Sequence, residues 1–216
     1  TTVAIFPCGE LGRFEEKVPG LIPRTFERWW EFFTARRDGT KPSTEYTPYE
    51  LRSVGSWVYL DRRDRAHEAL EFYFQDQRPA AWRHWAEVVW REPRNPRFIG
   101  DMPHTWVGSD YVNAVRAMFV YERESDQSLV LGAGVRSAWM KEAVEKAQGK
   151  AVAVGGWPSE FGPVSYAVTA DAKGGRTWTY RDDSGTVLLR VSGAFARGTT
   201  RPLLAGQRQT LRATAS

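Results

Sequence analysis

A single cysteine, Cys8, stands among 216 residues. No internal disulfide can form, and no cysteine cluster can hold a metal. One free thiol does not fix a redox compartment, since exported chains without disulfides are common. Histidine is nearly as scarce: His67, His84 and His104 are too far apart for metal-ligand spacing, which argues against a structural zinc or a two-histidine catalytic zinc. No run approaches the roughly 18 apolar residues of a membrane span, so none is expected. The basic excess, a net +4, is not gathered into blocks: Arg62, Arg63 and Arg65 alternate with Asp61 and Asp64. A nucleic-acid binder collects such residues on one face, so a nucleic-acid partner is not expected. There is no Gly-x-Ser-x-Gly elbow and no familiar Cys–His setting for Cys8, which leaves acyl transfer unsupported. Gly132-Ala133-Gly134 and Gly155-Gly156 follow strand-like segments instead of joining a strand to a helix, so they do not make a phosphate loop. No cofactor or metal is expected. The chain opens on Thr1-Thr2 with neither a charged nor an apolar leader segment after it, which suggests a piece of something longer.

What is present is the composition of a folded chain, 42% hydrophobic and 26% charged. Up to residue 125 the apolar period is helical. After Pro23, Phe26, Trp29, Trp30, Phe32 and Phe33 recur at three- and four-residue steps until Asp38-Gly39. Trp29 and Trp30 are core or wall residues, and their adjacency requires one to face a different neighbour. A second helix is expected near Pro48 with Thr47 as its cap, and Gly55 would let a neighbouring helix come close. A third starts at 61–64, making an antiparallel hairpin with the second. Residues 79–105 are broken by prolines, with one short helix expected over 83–90, and a long helix follows over 105–123.

From residue 126 the period is two. Strands are expected at 128–131, 151–155, 164–171, 176–182 and 186–192. Turns at Lys173-Gly174-Gly175 and Asp182-Asp183-Ser184-Gly185 would join the last three as hairpins. The stretch 197–216 reads as an edge strand or a loose tail. The fold class is therefore α+β, with helical hairpins over 1–125 and an antiparallel β-domain, a small sheet or sandwich, over 126–216.

Several local strings occur in order: Tyr49-Glu50-Leu51, Trp85-Ala86-Glu87, Gly100-Asp101-Met102-Pro103-His104-Thr105-Trp106-Val107-Gly108, Leu129-Val130-Leu131-Gly132-Ala133-Gly134-Val135 and Phe161-Gly162-Pro163-Val164-Ser165-Tyr166. As an ordered set, covering about residues 20–192, they resemble the C-terminal end of bacterial glycoside-hydrolase-like proteins built on a six-hairpin (α/α)6 toroid. The closest of these are long proteins that carry a discoidin-type (factor 5/8 C) module. The resemblance implies that 1–125 is an incomplete toroid, that the Gly-Asp-Met-Pro-His segment enters the last barrel helix, and that the rest of the ring comes from the same chain or from a second one. It also implies a carbohydrate substrate and, from that substrate class, a periplasmic or extracellular location. The fragment alone would then be inactive, with the second catalytic carboxyl elsewhere in the barrel.

Glycoside hydrolysis generally uses two carboxyl groups, and flat rings stack on a sugar's C–H face. Glu87, between Trp85 and Trp90 with Trp82 upstream, is the first catalytic candidate; as a surface glutamate it would instead pair with Arg83 or Arg91. Asp101 is the second, as a base activating water, or else it only supports the start of the following helix. His104, Trp106, Trp82, Trp85, Trp90, Tyr49 and Glu50 are the substrate-binding candidates. His104 also fits a helix-entry role, and Glu50 a first-turn acid favoured by the helix dipole. The rival class is a non-catalytic module that binds carbohydrate or protein through the same aromatic surface.

Overall fold

The structure, a computed structural model, describes residues 2–41, 45–90, 94, 98–123, 128–136, 138–139, 142, 152–160, 162–170, 176–182, 187–191, 201–203 and 208–213. It is α+β, with its helices preceding its larger sheets. Two compact units divide it, Thr1–Val115 and Arg116–Ser216. The division falls inside a helix, earlier in the chain than the change of periodicity near residue 125.

In the first unit two short helices, α1 (Thr2–Ile5) and α2 (Leu11–Lys17), lead into α3 (Leu21–Arg37). Pro23 sits in the first turn of α3, where its missing N–H costs nothing, and Gly39 at φ 72° turns the chain after it. The buried stripe is Ile22, Phe26 and Phe33. Trp29 stacks on Phe33 at 5.2 Å and Trp30 meets Trp57 edge-on at 5.5 Å. Both adjacent tryptophans thus serve one cluster, contrary to the expectation that they part. Phe32 leaves it instead: it is exposed, with the Lys41 ammonium 4.0 Å above its ring.

Thr47 caps the next element as expected, its hydroxyl accepting the Tyr49 N–H at 3.4 Å. A 3-10 turn (Pro48–Leu51) comes first and runs into α4 (Arg52–Tyr59), and α5 (Arg63–Gln75) completes the hairpin. Gly55 does permit a close approach, but to a ring: a Cβ there would lie 2.4 Å from Phe6, just after α1.

The helix expected over 83–90 is absent. Arg83 adopts φ 50°, and the segment runs extended into β2 (Val89–Trp90), which pairs antiparallel with β1 (Glu45–Tyr46). Its backbone is satisfied across the gap to 98–101 instead of along a helix. The Glu87 N–H donates to the Asp101 carbonyl at 3.0 Å, Gly100 N–H to Val88 at 3.0 Å, and Trp90 N–H to Phe98 at 2.8 Å.

The helix α6 (Thr105–Phe119) is shorter than 105–123, because β-branched and aromatic Val120 and Tyr121 open β3 (Val120–Arg123) against β4 (Ser128–Leu131). Its last carbonyls are met by glycine N–H groups: Gly134 donates to Met118 at 2.9 Å and Gly132 to Phe119 at 2.8 Å.

The second unit carries two four-stranded sheets. One has the order β10 (Arg208–Ala213), β7 (Arg176–Asp182), β6 (Val164–Ala170), β5 (Val152–Trp157), with every pair antiparallel. The other has the order β3, β4, β8 (Val187–Val191), β9 (Arg201–Leu203). The hairpin expected between β7 and β8 does not form. A strand has only two edges, and those of β7 are filled by β6 and β10, so β8 pairs parallel with β4 and antiparallel with β9. The stretch 197–216 supplies both β9 and β10, each an edge strand. The turns at 173–175 and 183–185 lie outside the described residues, as do Phe161 and Arg91.

Three tyrosines make a test of the packing. Tyr46 donates to Asp76 at 2.5 Å, Tyr73 to Glu50 at 3.1 Å and Tyr166 to the Phe119 carbonyl at 2.9 Å. Burial, reinforced at Tyr46 by Asp76 and at Tyr73 by Glu50, holds all three phenols well above their usual range. The folded chain keeps protons that the unfolded chain releases near pH 10, so their stabilisation is complete below about pH 10 and is lost as pH rises beyond it. In an ultraviolet titration of the eight tyrosines, these three should ionise only together with cooperative alkaline unfolding. A single class titrating reversibly near pH 10 would contradict the packing.

Candidate functional site

Hydrogen bonds to the backbone tie the extended segment 85–90 to the loop 98–104 and to the 3-10 turn before α4. The Thr47 hydroxyl donates to the Glu87 carbonyl at 2.7 Å, the Glu87 N–H donates to the Asp101 carbonyl, and the His104 N–H donates to the Trp85 carbonyl at 3.1 Å. These backbone ties gather Tyr49, Glu87, Asp101, His104 and Trp106 in one place. Tyr49 and His104 meet through the phenol oxygen and Nε2 at 2.5 Å, their rings edge-on. Trp106, in the first turn of α6, is 68% exposed and lies against both, at 6.5 Å from the Tyr49 ring and 6.1 Å from the imidazole. A large ring this open to water beside fixed polar groups is an available stacking platform.

The acids sit at its rim. Glu87 is exposed, and its carboxylate lies over Gly100, where a Cβ would come 3.2 Å from Oε2. Among the described residues Glu87 makes no ion pair, so the surface pairing with Arg83 is not formed. The Asp101 carboxylate is 85% exposed, 3.9 Å from His104 Nδ1. Partial burial of Tyr49, with the charge of Glu87 next in importance and Asp110 and Asp101 adding to it, raises the Tyr49 phenol; Arg52 opposes them. The proton therefore stays on Tyr49.

Two residues of this region carry no signal in a search for paired acids and aromatics. Arg52 lies over the Tyr49 ring at 4.7 Å and donates Nε to Asp110 at 2.8 Å, joining α4 to α6. Burial raises the Asp110 carboxyl, against the hydrogen bond and charge of Arg52. Helical spacing could have pointed to both, since Arg52 is three residues after Tyr49 and Asp110 four after Trp106.

Other candidates are placed elsewhere. Trp85 is 5% exposed: its indole N–H donates to the Tyr73 carbonyl at 2.9 Å, and Phe74 and Tyr111 close over it at 5.7 and 5.1 Å. It is core, not a sugar platform. Glu50 is held as a structural ion pair, with Arg36 donating to both oxygens at 3.0 and 2.6 Å and Tyr73 to the second. Trp90 is half-buried in β2, and its carbonyl accepts from Arg78 at 2.5 Å. Trp82 is 58% exposed on the 3-10 turn Ala80–Trp82. His104 sits at the helix entry, its carbonyl accepting the Gly108 N–H at 3.3 Å to start α6, while its ring meets Tyr49.

Among the described residues no three His, Cys, Asp or Glu side chains converge as a metal site, and no helix is long and apolar enough to cross a membrane. Comparison with protein-family models, with characterised proteins and with solved structures finds no match to this chain.

Proposed function

We propose that this chain is part of a carbohydrate-active protein, a glycoside hydrolase built on helical hairpins. In it, Trp106, Tyr49, His104, Glu87 and Asp101 form part of the sugar-binding cleft. One observation carries the proposal: an open indole face, Trp106, lies beside a phenol–imidazole pair and two exposed carboxylates. Sugars present a C–H face to stack on such a ring and a rim of hydroxyls to hydrogen-bond around it. The order of sequence motifs adds the expectation of an (α/α)6 toroid, whose remaining hairpins come from the same chain or from a partner. Glu87 is the carboxylate proposed for the chemistry, with its counterpart in the rest of the ring.

A second function, a non-catalytic sugar-binding module, is favoured by one feature. Both acids face water, the setting of a binding rim and not of a dry acid–base pair.

Trp106→Ala and Glu87→Gln separate these. Oligosaccharide binding followed by intrinsic fluorescence should weaken about tenfold or more in Trp106→Ala, the loss of one stacking contact. Glu87→Gln in the assembled protein should abolish turnover while sparing binding if Glu87 is catalytic, and should change little in a binding module. A chain that binds no neutral, amino or acidic oligosaccharide sinks both.

A further inference from the structure

The Tyr49 hydroxyl has one proton, and its direction decides what the surface offers a ligand. We infer that His104 draws the Tyr49 proton toward its own Nε2, leaving a surface of hydrogen-bond acceptors that selects neutral and, above all, amino sugars over uronic acids. This rests on the carbohydrate proposal and deepens it to a substrate class.

Geometry and chemistry agree on the direction. A phenol is the better acid and an imidazole nitrogen the better base, so the 2.5 Å contact is best made as O–H to Nε2. With Nε2 accepting, the imidazole N–H lies on Nδ1, which faces the Asp101 carboxylate at 3.9 Å. The opposite tautomer would turn the Nδ1 lone pair toward that carboxylate. Asp101 thus acts on His104 as a positioning residue.

With its proton engaged, the Tyr49 oxygen shows only lone pairs to a ligand. Glu87 and Asp101 add two more acceptors. Among the described residues the cation acting on Tyr49 is Arg52, whose Nε is held by Asp110, and the three carboxylates Glu87, Asp101 and Asp110 outnumber it. Sugar hydroxyls and ammonium groups find partners here, and a uronate carboxylate meets charge of its own sign.

The charged groups facing the Tyr49–His104 pair are Arg52 from α4, Glu87 and Asp101 from the two loop segments, and Asp110 from α6.

The test uses the full chain with 15N-labelled histidine. Long-range proton–nitrogen spectra at pH 7.5 should show His104 with Nδ1 protonated and Nε2 bare, and Tyr49→Phe should shift the Nε2 signal. By tryptophan fluorescence, a chitosan hexamer should bind about tenfold more tightly than a galacturonate hexamer, with cellohexaose between them. A Glu87→Gln/Asp101→Asn variant with an unchanged His67 signal, which reports an intact fold, should narrow that gap several-fold. A protonated Nε2, or galacturonate bound as tightly as chitosan, overturns the inference while leaving carbohydrate binding standing. If none of the three hexamers binds, the carbohydrate proposal falls and the selectivity with it, whatever the ring-nitrogen spectrum shows.

Discussion

Gly134→Ala should destabilise the second unit by about 3 kcal/mol or more, at the upper end of what overpacking costs. A Cβ at this position would lie 2.5 Å from Met118 Cβ and 2.6 Å from Met118 Cα. The second of these is backbone and cannot rotate away. Met118 belongs to the last turn of α6 and is itself buried at 1% exposure. The Gly134 N–H also holds the Met118 carbonyl, so relieving the clash breaks a hydrogen bond that the helix end needs. Hydrogen exchange should show the loss concentrated in β3, β4 and the end of α6, while α3 to α5 keep their protection. An alanine variant as stable as the parent would mean that 132–135 does not pack on α6 as described.

Glu50→Ala should cost the first unit about 3 kcal/mol, the low end for removing one partner of a buried ion pair, since Glu50 keeps 24% of its side-chain exposure. The loss is larger than one contact because Arg36 and Tyr73 both depend on this carboxylate. Burial alone would depress the Arg36 guanidinium, but the hydrogen bonds and charge of Glu50 outweigh it and raise it. Without Glu50 that guanidinium, 14% exposed and lying 4.6 Å over the Tyr46 ring, stays buried with its main counter-charge gone. Arg36→Met with Glu50→Gln should recover part of the stability, since two apolar or neutral groups leave no orphaned charge. Chemical denaturation monitored by exchange in α3 and α5 measures this. A cost below about 0.5 kcal/mol would place Glu50 among surface acids.

What could be seen in the sequence was mostly local. Gly39 after Asp38, Thr47 before Pro48 and the alternation of Val164 and Tyr166 each announce a cap, a turn or a strand within a few residues, and the structure follows them. The candidate site is legible only as residue types: aromatic and acidic residues in Pro-broken segments mark Tyr49, Glu87, Asp101, His104 and Trp106, but not that they lie together.

What failed depends on partners distant along the chain. Residues 83–90 look helical until Glu45 and Tyr46 claim the strand end and 98–101 claims the rest of the backbone. Trp85 looks like a platform until the Tyr73 carbonyl takes its indole proton. Glu50 looks like a first-turn helix acid, and nothing nearby says that Arg36 will arrive with a fork of donors. Arg52 and Asp110 lie on different helices, and only the packing of α4 near α6 makes them a pair.

The parallel match of β4 with β8 has a consequence for the chain's birth. Leu131 pairs with Val191 and Leu129 with Leu189, so the far side of β4 waits for about 55 more residues to be made. At roughly 5–20 residues per second a ribosome needs about 3–11 s for that stretch. Throughout this interval β3 and β4 form a two-stranded ribbon with a bare apolar edge, at Leu129, Val130 and Leu131, residues that end fully buried. Such an edge invites pairing with any extended segment nearby. The nascent protein therefore has a window of vulnerability that closes only when β8 emerges, and termination before residue 187 should leave insoluble polypeptide.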